Sequence, residues 1–228
     1  MSSTLLYYSA NLIPETFAVN IRNRIQEQAD RLGMPIVSVT HKPIDFGENI
    51  CVGELKACPY NVYKQILIGT RVITTDNIVC VEDDTLYTDE HLSFVPPTDD
   101  TFYYNSTRLL VERRRYVKKG NRTLMSQCVV STPLMLETLE RRYEKYPHMD
   151  FHAVKWFCEP GRYELKALKL PQPPREYFET EYYTLTFSHR ANMGGVRKVF
   201  ETDGKFEEIP YWGNARELWS RIYDGKVD

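Results

Sequence analysis

The 228 residues contain no glycine-rich loop, no disulfide framework and no long apolar run, and each absence removes a class of function. The first glycine is Gly33, far beyond the first apolar segment, and no GxxxxGK[ST] stretch occurs. A dinucleotide-binding Rossmann domain and a P-loop nucleotidase both need backbone N–H groups on such a loop to hold phosphate, so both are excluded. Sugar nucleotidyltransferases, which receive a nucleoside triphosphate on a comparable loop, are disfavoured for the same reason. The cysteines, Cys51, Cys58, Cys80, Cys128 and Cys158, are odd in number and scattered, with no CxxC pair. That pattern speaks against a secreted disulfide scaffold and against structural zinc, and it reads as reduced, mostly core thiols. Apolar runs last only a few residues where a membrane helix needs ~20, and no basic start leads into an apolar stretch. A soluble cytoplasmic protein without a membrane partner is expected.

What is present is enough for a packed core. Apolar residues make up 42% of the chain and include 16 Tyr, 10 Phe and 3 Trp, which rules out global disorder and fits a single domain. The net charge of −2 hides an asymmetry. Between Arg108 and Arg122, seven basic residues face one acid, Glu112, so this stretch carries +6 and the remainder −8. An acidic body with one basic face follows.

The order of elements is that of an α/β sheet. Leu5 to Tyr8 reads as a buried strand ending at Ser9-Ala10-Asn11. Phe17, Ile21, Ile25, Ala29 and Leu32 give a helix closed by Gly33 and Pro35, and Ile36 to Val39 a second strand. Residues 42–53 read as loop, a helix begins near Pro59, and Ile78 to Val81 form a third strand. Alternating strands and helices at this spacing predict right-handed crossovers and a mostly parallel central sheet flanked by helices. Further on, a strand at Tyr103-Tyr104, a helix from Leu134 to Tyr146, a proline-marked crossing at Pro171, Pro173 and Pro174, a strand over Thr184 to Phe187 and a last helix from Ala215 to Tyr223 are predicted. Parallel sheets present their sites at the carboxyl ends of strands. The third strand is followed directly by Glu82-Asp83-Asp84. Adjacent carboxylates repel unless a cation compensates them, and oxygen-only ligands suit Mg²⁺ or Mn²⁺ completed by water and phosphate. An acidic loop or helix cap is the plainer reading of the same letters.

With that motif, Val79-Cys80-Val81-Glu82-Asp83-Asp84-Thr85-Leu86-Tyr87, the chain resembles the GT-A nucleotide-sugar glycosyltransferases, in which a DxD-type motif follows a hydrophobic strand and sometimes takes the form Glu-Asp-Asp. In detail it is most similar to short, phage-type members, which would place a phage-encoded chain in the host cytoplasm. The resemblance implies a Rossmann-related single domain, with residues 1–88 the nucleotide-sugar half and 89–228 the acceptor side. It implies transfer of a hexosyl or pentosyl group from a nucleoside diphosphate sugar, with UDP favoured, and Mn²⁺ or Mg²⁺ as cofactor. Asp84 would ligate the metal together with His189. Glu82 and Asp83 would contact the ribose or support that ligand, and Ser9, His41, Asp45 and Lys64 would meet the nucleoside. Asp150 or Glu159 would serve as base if the reaction inverts, although the clear Glu-Asp pair of many inverting members is lacking.

The +6 stretch falls on the acceptor side. Arg113, Arg114, Arg115, Lys118 and Lys119 around Tyr116 suit phosphate contacts and base stacking, so DNA carrying a hydroxymethylated pyrimidine is a candidate acceptor; a solvated hairpin explains the same residues. An inactive GT-A-like module that binds nucleotide, glycan or nucleic acid is the competing reading. Tyr211-Trp212 fits either core or interface, so oligomeric state stays open.

Overall fold

Alternation along the first strand assigns its side chains to two separate cores. In the structure, a computed structural model that describes residues 1–112, 115–118, 123–149, 151–187 and 208–224, β1 (Ser3–Ser9) sends Leu5 and Tyr7 to one face and Leu6 and Tyr8 to the other. Such a strand is buried on both faces, which is why it reads as a continuous apolar run. The chain continues through α1 (Glu15–Leu32), β2 (Ile36–Thr40), β3 (Glu48–Cys51), α2 (Pro59–Thr70), β4 (Asn77–Val81), β5 (Thr85–Leu86) and α3 (Asp89–Leu92). It then forms β6 (Phe102–Asn105), β7 (Arg108–Glu112), β8 (Arg115–Lys118), β9 (Cys128–Ser131), α4 (Thr132–Lys145) and α5 (Phe151–Val154). Last come β10 (Arg175–Phe178), β11 (Thr184–Phe187), the short pair β12 (Glu208–Ile209) and β13 (Gly213–Asn214), and α6 (Ala215–Asp224).

The main sheet has seven strands in the order β10-β6-β9-β4-β1-β2-β3. Strands β3, β2, β1 and β4 are mutually parallel; β9 runs antiparallel between β4 and β6. One face packs Phe17, Ile21 and Ile25 of α1 and Leu218 and Ile222 of α6, the other Ile66 and Leu67 of α2 and Met135 and Leu139 of α4. A smaller sheet, β5-β11-β7-β8, lies beside it.

Helix ends follow the sequence signals. Gly33 closes α1 at φ +65°, and the Met34 N–H returns to the Ala29 carbonyl, the paired pattern that glycine allows after a helix. Pro59 opens α2, where a missing N–H costs nothing. At Gly69 α2 comes so near the sheet that an added Cβ would stand 2.4 Å from Leu6 Cδ1. This close approach fixes the height of α2 over the ends of β1 and β2.

Two expectations need correction. Residues 42–53 are not all loop: β3 pairs parallel with β2, Val37 opposite Glu48 through Thr40 opposite Cys51. An edge strand half open to water has little hydrophobic content to reveal it. The basic stretch is in its described part a hairpin, β7 against β8, and Arg108 does not belong to an exposed face, being 2% exposed on a strand flanked by β11 and β8. All five cysteines are free; Cys58, Cys80 and Cys128 are buried, Cys158 is half-buried and Cys51 exposed. Among the described residues no helix is long and apolar enough to cross a membrane.

The segment that carries Glu159 is anchored by a buried ion pair. Arg142 of α4 donates to the Glu164 carboxylate and, at 2.8 Å, to the Cys158 carbonyl; Glu164 also accepts the N–H groups of Arg162 and Tyr163 at 3.0 and 3.2 Å. Both side chains of the pair are 1% exposed. Removing one partner strands the other charge in the interior, so Glu164→Ala is expected to lower stability by about 3–5 kcal/mol in urea unfolding. The double variant Arg142→Met, Glu164→Leu should recover most of that loss; equal losses in both variants would show that packing, not charge, holds the segment.

Candidate functional site

The chain runs from β1 outward to β2 and β3, then returns across β1 to β4, and the carboxyl ends of β1 and β4 therefore flank a topological switch point. Tyr7 pairs with Val81, so the next residues, Tyr8 and Ser9 on one side and Glu82 and Asp83 on the other, emerge together at this edge. Hydroxyl groups meet the carboxylates one for one. Tyr8 Oη donates to Glu82 Oε1 at 2.6 Å, Ser9 Oγ donates to Asp83 Oδ2, and Thr85 Oγ1 donates to Asp84 Oδ1 at 2.9 Å. The backbone is held too: Glu82 N–H donates to Tyr87 Oη at 3.0 Å, and Phe187 N–H at the end of β11 donates to the Asp84 carbonyl at 2.8 Å.

Charge crowding shows in the titration of these groups. Burial, then the charges of Asp84 and Asp83 and more weakly Glu159, push the Glu82 carboxyl up to about 8, against a lowering contribution from the Tyr8 hydroxyl. Burial and the Glu82 carboxylate hold the Tyr8 hydroxyl well above its ordinary range, so it remains a donor. Asp84 is 6% exposed.

The structure brings Glu82, Asp83, Asp84 and Ser9 into one cluster, and adds His41 and Glu159 at its margins. The His41 N–H donates to the Ser9 carbonyl at 3.3 Å, and its ring is buried. Glu159, in an ion pair with Arg162 at 3.2 Å, is near enough to Glu82, Tyr63 and Tyr104 for its charge to act on each. Asp45 is exposed in the loop between β2 and β3, and Lys64 is exposed on α2. Asp150, His189, Arg113, Arg114 and Lys119 lie outside the described residues; Arg115 and Lys118 are the two ends of β8.

Sequence reasoning missed the groups that hold this edge together. Gln65, one residue beyond Lys64, bridges β1 and β2 by donating to the carbonyls of Ser9 at 3.0 Å and Val39 at 2.9 Å. It shares a buried helix stripe with Asn61 and Gly69, a polar residue on the sheet-facing side, and that was the available signal. Asn11, at φ +53°, donates its N–H to Ser9 Oγ at 2.9 Å and accepts from the Lys42 N–H at 2.9 Å, tying the loop after β1 to the loop after β2. Tyr8 and Tyr87 read only as apolar strand and loop letters.

Among the described residues no three His, Cys, Asp or Glu side chains converge as a metal cage. The donor set nonetheless suits a hard divalent cation. Mg²⁺ and Mn²⁺ are commonly held by one or two carboxylates, with water and phosphate filling the remaining positions, and crowded carboxylates of which one is driven toward protonation are what a cation would relieve.

Comparison with solved structures finds a glycosyltransferase involved in the glycosylation of the major capsid of PBCV-1, 9% identical, with 82% of this chain matched to 92% of that one at a TM-score of 0.52. The chain has the GT-A fold. Also found are a Drosophila β1,4-galactosyltransferase 7 mutant in complex with manganese, UDP-Gal and xylobiose (12% identity, 90% of this chain, 82% of that, TM-score 0.44) and HddC from Yersinia pseudotuberculosis (13% identity, 82% and 93%, TM-score 0.45). No protein-family model and no curated protein sequence matches the chain.

The raised Glu82 carboxyl gives a pH signature. Unfolded, Glu82 releases its proton near pH 4.5; folded, it does so at about 8. Between those values the native state keeps a proton that the unfolded chain has lost, so stability falls as pH rises through the window. Without divalent metal, Glu82→Gln should melt close to wild type near pH 4.5 and a few degrees above it at about pH 8. A difference independent of pH would mean that the ionised carboxylate is not penalised in this site.

Proposed function

We propose that the protein is a metal-dependent glycosyltransferase that moves a sugar from a nucleoside diphosphate sugar, a UDP-sugar being favoured, to an acceptor hydroxyl. The observation that carries this reading is the triple carboxylate at the end of β4, hydrogen-bonded to the end of β1 at the switch point of a GT-A fold.

Each residue's part follows from its place. Asp84, with His189, holds the Mn²⁺ or Mg²⁺. The ion, when bound, stabilises negative charge on the departing nucleoside diphosphate, which removes the need for a protonating side chain. Tyr8 and Ser9 keep Glu82 and Asp83 turned toward the crevice, where they meet the ribose or brace Asp84. Ser9, His41, Asp45 and Lys64 face the nucleoside. If the reaction inverts, Glu159 or Asp150 takes the proton of the acceptor hydroxyl; Glu159 has the support of its position near Glu82, in a segment locked by the Arg142–Glu164 pair. The acceptor side comprises residues 89–228, and its basic residues Arg113, Arg114, Arg115, Lys118 and Lys119 favour DNA with a hydroxymethylated pyrimidine, whose extrusion from the helix costs a few kcal/mol.

Calorimetric titration with UDP, GDP and their sugar derivatives, with and without Mn²⁺, tests the donor half. Binding is expected to require metal and to vanish in Asp84→Ala while circular dichroism shows that variant folded; absence of binding to folded wild type defeats the reading. Glu159→Gln is expected to keep donor binding and to lower transfer to hydroxymethylated DNA by at least about 100-fold, the size of a general-base contribution. Transfer to that DNA unaffected by the substitution would move the base to Asp150.

A further inference from the structure

Strand β10 is the outermost of the main sheet: it pairs with β6, and its other side meets no strand among the described residues. Arg175, Glu176 and Tyr177 are exposed, and so is Glu179 just beyond the strand. The phase of the ladder follows from its two ends. Phe102 N–H donates to the Pro174 carbonyl at 3.0 Å and Ser106 N–H to the Phe178 carbonyl at 2.9 Å, so the backbone groups of residues 174, 176 and 178 are turned toward β6. Those of Arg175, Tyr177 and Glu179 are turned outward from the edge. A row of outward N–H and C=O groups is a template for another strand.

Charges usually keep an edge strand from pairing, but those of β10 have opposite signs at equal distances from Tyr177. A two-fold axis through Tyr177 sets Arg175 opposite Glu179 of a second copy, Tyr177 opposite Tyr177, and Glu179 opposite Arg175. These are the residues with outward backbone groups, so each pair exchanges both of its hydrogen bonds. By alternation their side chains share the face of Phe102 and Tyr104, and a tyrosine pair stands between two ion pairs. Glu179 meets Ser106 Oγ at 3.5 Å, too long a contact to hold it back. Neighbouring registers fail. Sliding one way sets Glu176 against its own copy, and sliding the other way runs the pairing into Glu181, whose N–H is bonded to Glu90 Oε2 at 2.7 Å. At the opposite edge β3 has an acid, Glu48, and no base, so no register joins it to itself through opposite charges.

We propose that two copies of this chain join edge to edge through β10, antiparallel and centred on Tyr177, so that their main sheets become continuous. Strands β10 and β6 run in the direction of β4, since β9 is antiparallel to both β4 and β6. The two-fold axis therefore turns the two carboxylate clusters to opposite edges of the joined sheet, and each cluster belongs to one copy. The pairing needs neither metal nor nucleotide and stands apart from the transferase reading.

Sedimentation equilibrium of the full chain tests it. Wild type is expected to dimerise with a dissociation constant of about 10 μM, as suits a small interface made chiefly by one strand edge. Arg175→Glu and Glu179→Arg each turn both ion pairs into like-charge pairs and should weaken association at least about tenfold. The double variant Arg175→Glu, Glu179→Arg should restore it. An equimolar mixture of the two single variants should form mixed dimers, because both pairs are then of opposite sign. Tyr177→Pro removes an N–H that the ladder with β6 does not use, so this variant should be folded by circular dichroism and monomeric. Wild type that stays monomeric at about 100 μM overturns the inference. A dimer indifferent to the single reversals, a mixture that fails to associate, or a folded Tyr177→Pro variant that dimerises as tightly as wild type overturns it too.

Discussion

Three carboxylates emerging side by side from a buried strand are the constraint around which the strand ends are organised. Left to themselves they would repel one another into solvent and unravel the end of β4. They are kept in place by hydroxyl donors from different parts of the chain: Tyr8 and Ser9 from β1, Thr85 from β5, with Tyr87 accepting the backbone N–H of Glu82. A hydroxyl donor compensates a carboxylate without neutralising it, since a charge-assisted hydrogen bond is strong but adds no positive charge. The compensation is incomplete, as the elevated Glu82 carboxyl shows. The site is thus stabilised enough to fold and retains an electrostatic demand that a cation can meet.

The rest of the molecule supplies the rigidity this arrangement needs. Gly69 lets α2 settle onto β1 and β2, and that approach places Gln65 where its amide can clamp both strand ends. On the opposite face α1, with Phe17 against Phe187, and α6 close over the sheet in the core that holds Tyr7, and Trp219 stacks on Tyr223 at 3.8 Å between ring centres. The second sheet is tied to the acidic turn that leaves β4 by Phe187 N–H on the Asp84 carbonyl, and within it Thr85 of β5 meets Thr186 of β11 at 3.1 Å. The earlier and later parts of the chain thus meet at the acidic turn itself.

Much of the fold was legible because it depends on pattern. The fourfold recurrence from Phe17 to Leu32, with Gly33 behind it, gives α1 and its end. The apolar runs at Leu5, Ile36 and Ile78 give three central strands of the sheet. What was not legible depends on pairing over long sequence distances: β3 is too polar to announce itself, β9 inserts antiparallel beside β4 only because the chain returns there, and Arg108 is drawn inside by strands far along the chain. In the candidate site the carboxylates were visible as letters. Their partners Tyr8, Gln65 and Tyr87 were not, because nothing in a tyrosine or glutamine marks it as bonded to a residue dozens of positions away.

The same logic explains why Gln65 escaped notice while Lys64 drew it. A charged residue on the helix before the acidic motif invites a role toward the nucleoside, yet on a helix one residue is a rotation of about 100 degrees, and the turn that buries Gln65 against the strand ends leaves Lys64 exposed. A polar side chain on the packed side of a helix has to be satisfied there, and both amide hydrogens of Gln65 are spent on strand carbonyls. Gln65 thereby joins the ends of β1 and β2 from the helix side, next to Ser9, whose hydroxyl holds Asp83. Helix phase and an amide with two hydrogens are sufficient to turn a packing contact into a clamp on two strand ends.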